Sequence, residues 1–126
     1  MSDAERVVQD FCDAIGQKDL ERCRSLLTEK AVYHNIPMDP VEGLEATVAS
    51  LAMQFDMFTS IEFRILAMAS TGSTVLTERI DFFNTAAGAE GRIPVMGAFE
   101  VEDGRIAAWR DYFDMAQAAA ALSLGG

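Results

Sequence analysis

The sequence predicts an α+β fold in which a cone-shaped, curved, mixed β-sheet packs against three helices. Two features carry that expectation. Apolar residues recur at helical spacing as far as Phe58, interrupted by one short alternating run at Ala31–Asn35, and from Ile61 the period drops to two. The period-two runs are divided by Ser70-Thr71-Gly72-Ser73, Asn84-Thr85-Ala86-Ala87-Gly88 and Asp103-Gly104, which read as reversals. The order is therefore three helices with one early strand, then an antiparallel meander whose curved sheet closes over the first and third helices. No internal repeat or interdomain linker interrupts the chain, so residues 1–126 read as one domain.

Asp3–Ile15 is the first predicted helix, with Val7, Val8, Phe11 and Ile15 inward, Ser2 or Asp3 as its cap and Gly16 as its stop. A shorter helix runs from its cap Asp19 to Leu27, burying Leu20, Cys23, Leu26 and Leu27, with Lys18 in solvent at the turn. Ala31–Asn35 reads as a short strand that sends Tyr33 and Asn35 to one face and Val32 and His34 to the other. Pro37-Met38-Asp39-Pro40 makes a constrained turn. Leu44, Val48, Leu51, Phe55 and Phe58 then define a core helix over Gly43–Met57, whose Met53 and Met57 read first as packing residues and second as contacts for an irregular apolar ligand. Strands follow from Ile61 toward Ala69, over Val75–Phe83, over Ile93–Val101 and over Arg105–Phe113. Pro94 calls for an edge, a bulge or an irregular entry in the third of these. The alanine-rich end, Ala116 to Leu122, reads as a last helical turn or a flap.

Composition narrows the function classes. Half of the 126 residues are hydrophobic, which supplies a core, and the formal charge of −10 disfavours nucleic acid and anionic membranes as partners. No apolar run is long enough to span a bilayer, and no basic segment leads into an apolar signal core, so cytoplasmic residence is the expectation. Cys12 and Cys23 match neither a CxxC motif nor a common zinc spacing and read as packed free thiols. His34 is the only histidine, which leaves no inventory for a multi-histidine metal site or a Ser-His-Asp triad. No metal, flavin, nicotinamide or other cofactor is expected.

The chemistry-bearing residues emerge from strand alternation. In Trp109-Arg110-Asp111-Tyr112-Phe113-Asp114 a carboxylate, Asp111, shares a face with two large aromatics, Trp109 and Phe113. In Val75–Phe83 the corresponding face carries Val75, Thr77, Arg79, Asp81 and Phe83. Taken singly, each charge reads as an ordinary ion-pair member. Taken together, two carboxylates and one guanidinium on an apolar face must be coupled, because burying any one of them alone is costly. Arg79 can hold both carboxylates with its fork of donors, so that one keeps a proton while the other acts as a base. That pairing suits one-step acid–base hydrolysis, with Tyr33 and Asn35 placed to orient the attacking water. Phe58, Phe83, Trp109 and Phe113 are the expected apolar wall, with room for a group of lipid or sterol size.

On Tyr33-His34-Asn35, Arg79-Ile80-Asp81 and Trp109-Arg110-Asp111 the chain resembles the limonene-1,2-epoxide hydrolase family, within the superfamily of nuclear transport factor 2 and ketosteroid isomerase. The resemblance covers nearly the whole chain and implies that superfamily's fold. It implies that Asp111 is the base activating water, assisted by Tyr33 and Asn35. It further implies that Asp81 protonates the epoxide oxygen and that Arg79 bridges the carboxylates. An apolar epoxide and water would then be converted directly to a vicinal diol, with no covalent enzyme intermediate. A homodimer is also implied. The first core helix begins almost at residue 1, where the limonene enzyme has a further amino-terminal segment near its pocket, so the resemblance carries over the acid–base core more firmly than monoterpene specificity. Two alternatives stay open on the residues alone. One is an isomerase or polyketide cyclase, which needs a base beside an acidic carbon; the other is a non-catalytic module that binds apolar ligands.

Overall fold

The computed structural model describes residues 1–122. Helix α1 (Asp3–Gly16) starts at Ser2, whose hydroxyl accepts from the Glu5 N–H while the Glu5 carboxylate accepts from the Ser2 N–H, a reciprocal capping box. Its stop is not Gly16. Gly16 stays helical, and Lys18 takes the left-handed conformation (φ 54°) instead. Lys18 is not left in solvent either: its ammonium donates to the Phe55 carbonyl at 2.8 Å and to the Phe58 carbonyl. A cation at the carbonyl end of the third helix satisfies orphan acceptors and opposes the negative pole there.

Helix α2 (Leu20–Ser25) is capped by Asp19 and ends two residues earlier than the spacing predicts, because Leu27 already begins β1 (Leu27–Asn35). A two-residue strand that the sequence did not signal, β2 (Val41–Glu42), pairs with β1 after the proline turn. Helix α3 (Leu44–Met57) follows from Gly43, whose φ of 96° sets the entry angle. The meander is β3 (Ser60–Thr71), β4 (Thr74–Asn84), β5 (Glu90–Glu102) and β6 (Arg105–Tyr112). Asp103 (φ 50°) and Gly104 (φ 78°) close the last hairpin with the two positive φ values of a type I′ turn. The alanine-rich end is a fourth helix, α4 (Met115–Leu122), where three helices were expected.

One six-stranded sheet runs β2-β1-β6-β5-β4-β3. All neighbours are antiparallel except β1 and β6, which pair in parallel and put Tyr33 beside Trp109 and Asn35 beside Asp111. The sheet is mixed and packed against helices as expected, but the strongly curved cone is a correction: the sheet is not strongly curled. Closure requires bulges or glycine kinks repeated across the strands. The β4–β5 ladder runs from Thr74–Glu100 to Asn84–Glu90 without a register shift, and β2 and β3 remain separate edges. Single irregularities at Leu27/Val32, Ile65/Ala67 and Glu100/Val101 bend the β1–β6, β3–β4 and β5–β6 ladders locally.

Pro94 sits inside β5, with strands on both sides of β5 elsewhere. It is tolerated because β6 ends at Tyr112 opposite Met96, so at Pro94 only the β4 flank is paired. The helices cover one face of the sheet, where Phe11, Ile15, Leu51, Phe63, Phe99, Ile106 and Trp109 form the core. Among the described residues no helix is long and apolar enough to cross a membrane.

Candidate active site

Sheet register explains how the charged groups meet. Thr77 on β4, Gly97 on β5, Asp111 on β6 and Asn35 on β1 lie side by side across four strands. Two residues along β4 from Thr77, Arg79 projects from the same face. Its guanidinium lies back over β5 to reach β6, two strand spacings away, or about 10 Å. It crosses where β5 carries no side chain. A Cβ at Gly97 would stand 2.3 Å from Arg79 Nη1, 2.8 Å from Thr77 Oγ1 and 3.0 Å from Asp111 Oδ1.

All five guanidinium N–H groups are used. Nε and Nη2 donate to the two Asp81 oxygens, each at 2.9 Å. Nη1 and Nη2 donate to the two Asp111 oxygens at 3.1 and 2.9 Å, and Nη1 also donates to Thr77 Oγ1 at 3.2 Å. Phe63, which pairs with Asp81 across β3 and β4, places its ring 4.6 Å from the guanidinium carbon. Arg79 is fully buried and both aspartates are 4% exposed at the side chain. Charges this deep hold together only when the fork of donors is saturated in this way.

Burial pushes the Asp81 carboxyl up to about 6, against the opposing pull of its Arg79 hydrogen bonds and charge, with Asp111 adding to the rise. Arg79 is held well above its ordinary value: burial acts against its charge, and the Asp111 and Asp81 carboxylates overcome it. The Tyr33 phenol is pushed up to about 12, by burial first and then by the nearby Asp111 charge.

The cluster forms the polar end of a cavity of about 300 Å³. Tyr33, Asn35, Asp81 and Asp111 all reach it, and Phe58, Phe83 and Phe113 lie on its wall with Phe63, Ile93 and Val95. Its large exposed lining residues, Met38, Met57, Met115 and Leu122, mark the mouth. Met53, by contrast, lies outside the lining. At this volume the cavity is at the small end of ligand pockets.

Trp109 does not stand where the sequence placed it. It lies behind the wall, stacked on Tyr33 at 3.9 Å, edge-on to Phe11 at 5.0 Å, and it donates Nε1–H to Asp111 Oδ1 at 2.9 Å. It therefore orients the carboxylate and leaves the apolar lining to others. An inward aromatic on a central strand can sit under a cavity as readily as beside it, and the helix packed above decides which.

The sequence gives no expectation for Gln54 or Met115, and Gly97 reads in it only as one step of the alternating run Ile93–Val101. Gly97 interrupts the inward row Ile93, Val95, Phe99, and an inward glycine in a strand interior is itself a signal of close approach. Gln54 occupies an apolar-stripe position of α3 between Leu51 and Phe58, reaches the cavity, and donates Nε2–H to the Tyr33 hydroxyl at 3.4 Å. Met115 begins a helix whose role in the lining no local pattern announces. His34 bonds the Met38 carbonyl at 2.9 Å in the turn. Cys12 and Cys23 are free and buried, and burial pushes both thiols up to about 12. Among the described residues no group of three or more His, Cys, Asp or Glu is arranged to hold a metal.

Comparison with known proteins agrees with this arrangement. The family model for the limonene-1,2-epoxide hydrolase catalytic domain matches residues 2–123. Epoxide hydrolase EphG of Mycobacterium tuberculosis is 33% identical over 108 residues, spanning 86% of this chain and 71% of that protein. A solved M. tuberculosis epoxide hydrolase of the limonene-hydrolase type superposes with a TM-score of 0.87 at 32% identity, covering 95% of this chain and 89% of the other. The fold alone is shared with an NTF2-like protein of unknown function from Burkholderia pseudomallei (TM-score 0.85, 15% identity, 98% and 99% coverage). With an Asp-Arg-Asp cluster buried at the end of an apolar cavity, the chain belongs to the limonene-1,2-epoxide hydrolase family and is an epoxide hydrolase of that type.

Proposed function

We propose that residues 1–126 act as one catalytic domain that adds water directly to an apolar epoxide, giving a vicinal diol. The observation that carries this reading is the saturated Arg79 fork, which fixes two carboxyl groups at one end of an apolar cavity. Asp111 accepts a proton from water as the water oxygen attacks an epoxide carbon. Asp81 gives its proton to the epoxide oxygen as the C–O bond breaks. A carboxyl whose pKa is raised toward 6 is suited to that donation. Arg79 holds the pair in register, while Tyr33 and Asn35 orient the water. The substrate's apolar body lies against Phe58, Phe63, Phe83 and Phe113, and Trp109 steadies the base from behind. The cavity's volume favours a compact or slender body whose longer end leaves through the methionine-lined mouth.

Single turnover of an epoxide in ¹⁸O-labelled water tests the route. Label should appear in the first diol formed. Oxygen delivered from a protein carboxylate would refute direct attack. Asp81→Asn and Asp111→Asn should each lower kcat by roughly 10²-fold or more, and near-normal activity in either folded variant would remove that residue's role.

We also infer a cytoplasmic homodimer. Leu66, Leu76, Met96 and Tyr112 are exposed on the sheet face opposite the helices, which supports a self-complementary apolar contact. Sedimentation at several concentrations tests the dimer, and a species that stays monomeric refutes it. The buried free thiols suit a reducing compartment, and fractionation of the native host tests that placement.

A further inference from the structure

Four of the polar residues that line the cavity have roles in the route above: Tyr33, Asn35, Asp81 and Asp111. Gln54 has none. It projects from α3, packed over β1, and its Nε2–H points at the same phenol oxygen that Asn35 Nδ2–H reaches at 3.0 Å. Two amide donors thus converge on one hydroxyl.

A phenol offers one O–H donor and a limited acceptor capacity. When two N–H groups occupy its acceptor side, the hydroxyl proton must point elsewhere. The Tyr33 ring cannot turn to escape, because it is stacked 3.9 Å from the Trp109 ring. We infer that Gln54 is a positioning residue for the hydrolysis: by filling the acceptor side of Tyr33 together with Asn35, it commits the phenol to donate into the cavity. A water that accepts that proton has its own hydrogens free for Asp111 and its remaining lone pair aimed away from the phenol, toward the epoxide carbon. Without Gln54 the phenol can rotate its proton and accept from the water instead, which turns the attacking lone pair off target.

This inference rests on the direct-water reading, and one pair of variants tests it. Gln54→Leu removes the donor and keeps the volume. At 3.4 Å the bond is long, so kcat should fall only roughly five- to tenfold, with KM little changed and no dependence of the loss on pH. Gln54→Glu puts an acceptor in place of the donor once ionised, which pulls the Tyr33 proton toward residue 54. Its kcat should fall further than that of Gln54→Leu and recover as pH is lowered and the new carboxyl regains a proton. A side chain that merely fills space would lose nothing in Gln54→Leu, which keeps the volume, so the fall in kcat of that variant separates the two roles.

Wild-type turnover in ¹⁸O water is run alongside, so that loss of the parent reading is seen separately. If the wild type incorporates label and Gln54→Leu keeps full kcat, the inference is wrong. The same follows if the pH profile of Gln54→Glu superimposes on that of the wild type, or if both variants change KM alone.

Discussion

Replacing Gly97 by alanine is the sharpest perturbation of the site. The backbone at Gly97 does not have a positive φ, so alanine brings no conformational strain of its own. The added methyl would meet Arg79 Nη1 at 2.3 Å, whereas ordinary contact begins near 3.4 Å. The guanidinium must therefore retreat by roughly 1 Å. Its Nη1 bonds, 3.2 Å to Thr77 and 3.1 Å to Asp111, cannot stretch that far and remain hydrogen bonds. If β5 bows away instead, its ladders to β4 and β6 are strained at the residues that define the cluster. A misplacement of about 1 Å costs about 10²-fold in turnover, and each lost hydrogen bond to a charged group costs about 1.5–3 kcal/mol. Against a typical stability of about 5–15 kcal/mol, the variant should still fold, with a visibly lower urea midpoint. The assay is kcat/KM on any epoxide the wild type turns over, with urea unfolding followed by circular dichroism. Activity within about twofold of wild type at an unchanged midpoint would refute the reasoning, because it would mean the strand makes room at no cost.

Four further outcomes follow from the geometry. Because the Asp81 carboxyl is raised to about 6 and acts protonated, kcat/KM should fall about tenfold per pH unit above that value. A profile flat to pH 9 would contradict this. The same shift has a stability sign. The folded state binds the Asp81 proton more tightly than the unfolded chain, whose value is near 3.8, so this group's contribution is full below that value and is lost as pH rises through about 6. Urea midpoints should show that fall in the wild type and a flatter response in Asp81→Asn. Trp109→Phe keeps most of the ring stacking and removes only the Nε1–H bond to Asp111, so kcat should drop roughly tenfold with KM nearly constant; unchanged kcat would deny the indole its orienting role. Finally, a Cβ at Gly91 would stand 2.7 Å from the Ala121 carbonyl, so Gly91→Ala should lift α4 from β5. Since α4 supplies Met115 and Ala118 to the cavity, KM should rise more than kcat falls, and an unchanged KM would refute that coupling.

Strand alternation alone made most of the polar cluster legible. Once Arg79, Asp81 and Thr77 share a face, and Asp111 shares one with Trp109, burial costs bring the charges together whatever the exact topology. Tyr33 and Asn35 were readable as a pair for the same reason, but their position beside Asp111 depends on the parallel pairing of β1 with β6, a long-range contact with no local signature. The cone-shaped, curved sheet was an expectation drawn from the meander and does not hold: the sheet is not strongly curled, and β2 and β3 remain separate edges. Gly97 became meaningful only when register set it between Thr77 and Asp111. Lys18 looked like a solvent residue because a charged side chain in a turn usually is one; here two helix-end carbonyls stand within its reach. Gln54 carries no local signal because one amide on an apolar helical stripe is as compatible with solvent as with a cavity.

The cavity wall divides by mechanical character. Its chemical floor stands on β1, β4 and β6, locked by neighbours on both flanks, while its mouth is drawn from a turn (Met38), the last residue of α3 (Met57) and both ends of α4 (Met115 and Leu122). Thioethers on such elements repack at little cost. Preference among substrates can therefore drift through the rim by single substitutions, with the proton-transfer apparatus left untouched. A chain built this way is a natural starting point for changing which epoxide is opened without having to rebuild how it is opened.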